Sequence, residues 1–184
     1  KIFYYQLFQY LNMNAEGIPI YLYLEEFGNI GKIPYFEKAI TTLRKRKVSI
    51  SLILQDLQQV SLLYGKEAAE TILSGGCQTK VFYPGLGLRT TKDVSEMLGR
   101  ATEKTESNSK SNNQTGASEG KTKSNIGRYL MTPDEIRCME KEHAIMIRGN
   151  QKPCKIKITP FFKQRIFDEF VKYSQSNKLA PKQE

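Results

Sequence analysis

The chain has little of what several common function classes require. It holds three cysteines and one histidine, and no tryptophan, in 184 residues. Cys77, Cys138 and Cys154 are odd in number and irregularly spaced, which excludes a disulfide framework and a zinc ribbon and leaves reduced, mostly buried thiols as the expectation. One histidine cannot build a multi-histidine metal site. A Ser-His-Asp or Cys-His hydrolase would hang on His143 alone, and His143 opens the apolar run HAIMI, which reads as a strand edge. No apolar run approaches the ~18–20 residues that cross a bilayer, and no signal-peptide pattern opens the chain. The segment therefore reads as soluble, and its start at Lys1 without Met reads as an excision from something longer. Apolar residues make up 39%, enough for a core if one stretch stays outside it.

What is present is basic. Lys+Arg number 28 against 19 Asp+Glu, a formal charge of +9. That admits nucleic acid as a partner, although basic surfaces also serve solubility alone.

Residues 2–11 have helical spacing, with Phe3, Leu7 and Leu11 on one side. The run Ile18–Leu24 is apolar or aromatic at alternate and intervening positions alike, as in a parallel strand buried on both faces. It ends in Glu25 and Glu26. A loop with Gly28, Gly31 and Pro34 follows, and then a helix with Phe36, Ala39, Ile40 and Leu43 on one face. That helix closes in Arg44-Lys45-Arg46-Lys47, a sequence suited to the negative end of the helix dipole. A second buried strand, 48–54, stops at Gln55, with Gln58 and Gln59 close behind. Residues 65–74 read as helix, 79–83 as a third strand, and Thr91 as the cap of a helix through Leu98. In 102–127 the only aliphatic residues are Ala117 and Ile126, so this stretch cannot offset its ordering entropy by burial and reads as a disordered loop. Thr132, Pro133 and Glu135 make a capping box. Two short strands near 143–159 form a hairpin, and 161–173 a last helix with Phe162, Ile166, Phe170 and Tyr173 on one side. The tail from Ser174 is expected to fray.

The chemistry-bearing residues lie at strand ends. Ligands bind at the carboxyl edge of open α/β sheets. In nucleotide-hydrolysing domains one acid there holds Mg2+, often through water, and its neighbour orients the attacking water. An amide closing the adjacent strand, Gln55, would face the same centre. The basic run 44–47 offers an arginine to a neighbouring subunit's phosphates or to a DNA backbone; for Lys45 and Lys47 a solvated charge run is the simpler reading. GNIGKIP at 28–34 mimics a phosphate loop but has GxxGK where GxxxxGK[ST] is required, so the chain holds at most half of an ATP site.

The order LYLEEFGNIGKIPYFEKAI, basic helix end, SISLILQDLQQVSLLYG, and later ILSGGCQTKVFY, DVSEMLGRAT and LMTPDEIRCMEKEHAIMIRGNQKPCKIK, resembles the TraG/TraD-type coupling proteins of conjugation and type IV secretion over nearly the whole chain. The resemblance implies the C-terminal portion of a RecA-like P-loop NTPase core, an α/β fold with a mostly parallel sheet flanked by helices and a C-terminal hairpin. Residues 1–101 and 128–173 would belong to that core. It implies an ATP- and Mg2+-dependent hexamer at the cytoplasmic face of the membrane, held there by an anchor upstream, that recruits relaxase or secretion-channel proteins and pumps DNA. By position Glu25 and Glu26 match the Walker B pair, with Glu25 where Asp is usual and Mg2+ held there, directly or through water. Gln55 matches the glutamine closing the next strand. Arg44, with Arg46 as fallback, matches the proposed trans-acting arginine, and Arg44, Lys45, Arg46 and Lys47 would meet DNA. Without a phosphate loop the segment is expected to hydrolyse no ATP by itself. Two alternatives stand beside this: a non-catalytic basic module that binds nucleic acid, and a related DNA-pumping or secretion-channel ATPase.

Overall fold

A computed structural model of the chain describes residues 2–14, 18–113 and 116–178. Helix α1 (Ile2–Asn14) turns Tyr4, Leu7, Phe8 and Leu11 inward, at i, i+3, i+4 and i+7, while Phe3 is exposed. Leu7 and Leu11 thus face the core as their spacing suggested, and Tyr4 takes the inward place expected of Phe3. Strands β1 (Ile20–Leu24) and β2 (Val48–Leu52) pair in parallel, Ile20 opposite Val48 and Leu24 opposite Leu52. Between them lie α2 (Phe27–Ile30), α3 (Phe36–Thr42) and a 3-10 turn over Leu43–Arg46. Phe36, Ile40 and Leu43 from this connection bury against the sheet as their spacing predicts.

The two strands are not buried on both sides. Ile20, Leu22, Leu24, Val48, Ile50 and Leu52 face the core, but Tyr21 and Tyr23 are 66% and 68% exposed, and Ser49 and Ser51 are exposed beside them. Residues of period two alternate faces, and among the described residues helices cover one face only. Apolar character on both faces was legible; what covers the second face was not.

Beyond β2 come α4 (Gln58–Tyr64), α5 (Lys66–Glu70) and a π-type turn over Thr71–Gly76. They close the first core around Phe27, Ile33, Phe36, Val60, Tyr64 and Ile72. The third strand, β3 (Thr79–Phe82), does not pair with β2. It runs antiparallel to β6 (His143–Arg148), and β7 (Cys154–Lys157) completes the order β3–β6–β7. The hairpin therefore extends β3 in a separate antiparallel sheet, not an edge of the parallel pair β1–β2 as expected. Helices α6 (Leu88–Leu98) and α7 (Pro133–Arg137) cover this sheet with a second core of Phe82, Val94, Leu98, Ile136, Met139 and Ile145. The α6 helix starts at Leu88 behind Gly87, so Thr91 lies inside its first turn, its hydroxyl donating to the Leu88 carbonyl at 2.9 Å. The capping box at Thr132 forms as read, with the Glu135 carboxylate accepting from Thr132 N at 2.7 Å.

The stretch expected as a disordered loop, 102–127, is instead paired over 102–113 and 116–127, with 114–115 outside the described residues. Strands β4 (Arg100–Asn113) and β5 (Gly116–Tyr129) form an antiparallel ribbon, Arg100 opposite Tyr129 and Asn113 opposite Gly116. A ribbon lets backbone donors and acceptors satisfy one another without apolar burial. It is a separate two-stranded sheet, which fits its composition. At its base the Arg100 guanidinium stacks 4.5 Å over the Tyr129 ring.

Two further expectations change. Cys138 and Cys154 are exposed and Cys77 half-buried; burial pushes the Cys77 thiol up, partly offset by Lys80. The final helix begins later and runs longer than read: a 3-10 turn over Phe161–Lys163, then α8 (Arg165–Lys178). Residues 179–184 of the expected tail lie outside the described residues. Phe162, Ile166, Phe170 and Tyr173 are all exposed.

Candidate functional site

Strands β1 and β2 end together. Past the last pair, Leu24 and Leu52, Ile53 N donates to the Leu24 carbonyl at 3.0 Å, and Phe27 N donates to the Ile53 carbonyl at 3.1 Å. Glu25, Glu26 and Gln55 therefore leave the sheet at one carboxyl rim, all exposed. The acid pair is pinned on both sides, because Leu24 before it and Phe27 after it are buried. Glu26 sits in the left-handed region at φ 46°, ψ 44°. For a residue with a Cβ this costs about 1–2 kcal/mol. The turn is held by Asn29, whose backbone N donates to the Glu26 carbonyl at 2.7 Å and whose Nδ2 donates to Glu26 Oε2 at 3.1 Å.

Behind the rim stands an aromatic cluster. The Phe27 ring is 4.8 Å from Phe36 and stacks on Tyr64 at 5.8 Å and 7°. The Tyr64 hydroxyl accepts from Ile33 N at 3.0 Å, fixing the far end of the acid loop. Burial pushes the Tyr64 hydroxyl above its usual pKa; the Ile33 hydrogen bond opposes this and Glu37 adds to it.

The turn from β2 into α4 carries one residue that sequence reasoning passed over, Asp56. Asp56 Oδ1 accepts from Gln58 N at 2.8 Å, an Asx turn, and from the hydroxyl of buried Thr90 at 2.9 Å. The rim is thereby tied to the first turn of α6. Gln59 lies against Gly28, two residues past Glu26. An Asp four positions before a helical apolar spacing (Val60, Leu63, Tyr64) was the available signal for this turn; the Gly28 contact had none.

The basic run is elsewhere. Ile20 N donates to the Lys47 carbonyl at 3.1 Å, so Arg44–Lys47 lie at the amino ends of β1 and β2. Five strand residues at ~3.3 Å each put about 16 Å between the two rims. Arg44, Lys45 and Lys47 are exposed and Arg46 half-buried. The structure brings Glu25, Glu26 and Gln55 together and leaves Arg44–Lys47 apart from them within the chain.

Among the described residues no group of three or more His, Cys, Asp or Glu could enclose a metal. Two adjacent carboxylates are hard oxygen donors of the kind Mg2+ takes, and such sites hold Mg2+ by one or two carboxylates plus phosphate oxygens. The rim thus fits one side of a metal–nucleotide site. Among the described residues, no helix is long and apolar enough to cross a membrane.

Known proteins give this arrangement a context. The chain is 25% identical to Protein VirD4 of Rhizobium rhizogenes over 151 residues, 82% of this chain and 22% of that protein. It is 25% identical to Protein VirD4 of Agrobacterium fabrum over 143 residues, 78% and 21%. Among solved structures it is similar to the bacterial conjugative coupling protein TrwBdeltaN70 in an unbound form, with TM-score 0.63, 21% identity, and 86% of this chain against 36% of that one. It is also similar to TrwB in complex with ADP and Mg2+, with TM-score 0.57, 20% identity, and 77% against 30%. The fold is the RecA-like α/β fold of those structures. The chain spans about a fifth of the curated relatives it matches. Residues 4–183 match the family described as Type IV secretory system Conjugative DNA transfer, and the chain belongs to that family of coupling proteins.

Proposed function

We propose that this chain is the C-terminal part of the ATPase motor of a conjugative coupling protein, which recruits relaxase-bound DNA and pumps it toward the secretion channel. The observation that carries this reading is the shared carboxyl rim, with Glu25, Glu26 and Gln55 leaving two adjacent parallel strands. TrwB binds ADP and Mg2+, and a hexamer at the cytoplasmic face of the membrane belongs to the same proposal. ATP, when bound, supplies the γ-phosphoryl group and the free energy of its hydrolysis. Glu25 holds Mg2+, directly or through water. Glu26 orients the attacking water and takes its proton. Gln55 lies beside them, where an amide senses whether the γ-phosphate is present. The phosphate cradle comes from sequence outside this chain, which has no GxxxxGK[ST] loop. Arg44 stands at the opposite rim, so its catalytic role is in trans, toward the next subunit's nucleotide.

The test is ATP turnover by the full-length protein. Glu26→Gln is expected to lower kcat by about 10²–10⁴-fold while nucleotide binding persists, and the isolated 184-residue chain should turn over no ATP. A Glu26→Gln protein that hydrolyses at the wild-type rate, or Glu26-dependent turnover by the isolated chain, would overturn the half-site reading. One observation favours the alternative of a non-catalytic nucleic-acid-binding module: Tyr21 and Tyr23 are exposed on one sheet face, as in single-strand binders. Their neighbours on that face, Ser49 and Ser51, supply no positive charge, which makes the motor the better reading.

A further inference from the structure

The residue in question is Gln59, on α4. Its side chain lies directly on Gly28: a Cβ at Gly28 would stand 2.5 Å from Gln59 Oε1, 2.6 Å from Cδ and 3.0 Å from Cβ. Gly28 is not among the positive-φ glycines. Close approach, not backbone geometry, therefore requires glycine there. Independently, Gln59 Oε1 is buried with no hydrogen-bond donor among the described residues. A buried acceptor without a donor is unfavourable, and an apolar side chain of the same length would fill the space without it. Packing alone accounts for a long side chain at position 59 but not for an amide. The contact also joins the two segments that carry the candidate chemistry, the loop after Glu25–Glu26 and the helix after Gln55.

The geometry points to Gln59 as a positioning residue. Its side chain locks α4 to the acid loop through Gly28, and its orphan carbonyl accepts a hydrogen bond that forms only when the nucleotide site is assembled. The inference rests on the motor reading above. It adds that the acid loop and α4 move as one unit, and that completing the Gln59 hydrogen bond sets Glu26 for reaction.

The test uses the full-length protein and reads thermal melting, kcat and KM together. Gln59→Met keeps the contact with Gly28 and removes the orphan oxygen. It should melt at or above the wild-type temperature, keep KM within about twofold, and lose kcat by about tenfold to a hundredfold, as a misplaced catalytic group does. A side chain with a purely structural role would not move stability and turnover in opposite directions. Gln59→Met with wild-type kcat would overturn the inference. Gly28→Ala/Gln59→Ala guards against misfolding of that variant, because it refills the cradle from the other side: folded but slow supports the positioning role, and folded with wild-type kcat refutes it. Failure of the motor reading looks different. In that case wild type shows no turnover, or Glu26→Gln retains it, whatever position 59 does.

Discussion

The two rims of one short parallel sheet are built in opposite ways. At the carboxyl rim the exposed groups stand on buried ones: Glu26 beside Phe27, the acid loop on Tyr64 and Ile33, and the β2–α4 turn on Thr90, which bonds half-buried Asp56. The backbone there tolerates a left-handed Glu26 because its surroundings over-determine it. At the amino rim Arg44 and Lys45 stand on the outside of a 3-10 turn, in solvent. On the proposed reading, the difference separates groups that must be held to a fraction of an ångström from groups whose work is long-range charge. Chemistry on a phosphoryl group needs the first kind, and phosphate-backbone contact or an arginine offered across a subunit boundary needs only the second.

The sharpest way to break the comparison is to remove the anchor of the rigid rim. Phe27→Ala deletes a fully buried ring that touches Phe36 and Tyr64. It is expected to cost about 3–5 kcal/mol, read as a fall in the denaturant midpoint. It should also abolish turnover in the full-length protein, because the acid pair is then anchored by a buried neighbour on the Leu24 side only. If Phe27→Ala unfolds no more easily than Arg44→Ala, the rim is not built on the aromatic cluster.

How much of this rim the sequence disclosed follows from the kind of signal each residue leaves. Glu25, Glu26 and Gln55 were legible because an apolar run that stops in a polar residue marks a strand end, and strand ends in parallel folds mark the binding edge. Thr90 left no such trace, and Gln59 was legible only as an amide close behind Gln55. Their roles come from contacts with Gly28 and Asp56, 31 and 34 residues away, that no local pattern encodes. The open face bearing Tyr21 and Tyr23 was misread for a related reason: alternation reports which positions are apolar, not whether a covering element belongs to the same chain. The β4–β5 ribbon was missed because its strands lack the apolar alternation by which strands are recognised.

A smaller effect tests the same rim through pH. The Tyr64 hydroxyl is buried and accepts from Ile33 N, and its pKa lies above the ordinary 10.0. A pKa raised in the folded state means that the native form keeps its proton after the unfolded chain has lost it. The stability contributed is therefore complete below about pH 10 and declines as pH rises through the folded value. Tyr64→Phe should lower stability at neutral pH by about 1–3 kcal/mol, because Ile33 N is left without its acceptor. It should also flatten the alkaline decline. Denaturant midpoints measured from pH 8 to 11 check both; an unchanged alkaline slope in Tyr64→Phe would remove Tyr64 from the account.

The smallest stability effect belongs to the other rim, and it carries the most information about the comparison. Arg44→Ala and Lys45→Ala remove exposed charges from the turn over Leu43–Arg46, so each should change stability by less than about 0.5 kcal/mol. If the run contacts a DNA backbone, each substitution should weaken DNA binding by the full-length protein equally for unrelated sequences, and should reduce the slope of log K against log salt by about one per lost phosphate contact. If Arg44 instead serves a neighbouring subunit's nucleotide, Arg44→Ala should lower kcat while the salt slope stays as it was, and Lys45→Ala should do neither. The two roles therefore separate on a single pair of variants. A third result, stability falling by as much as in Phe27→Ala, would mean that the amino rim is as tightly built as the carboxyl rim, and the contrast between held chemistry and free charge would no longer describe this sheet.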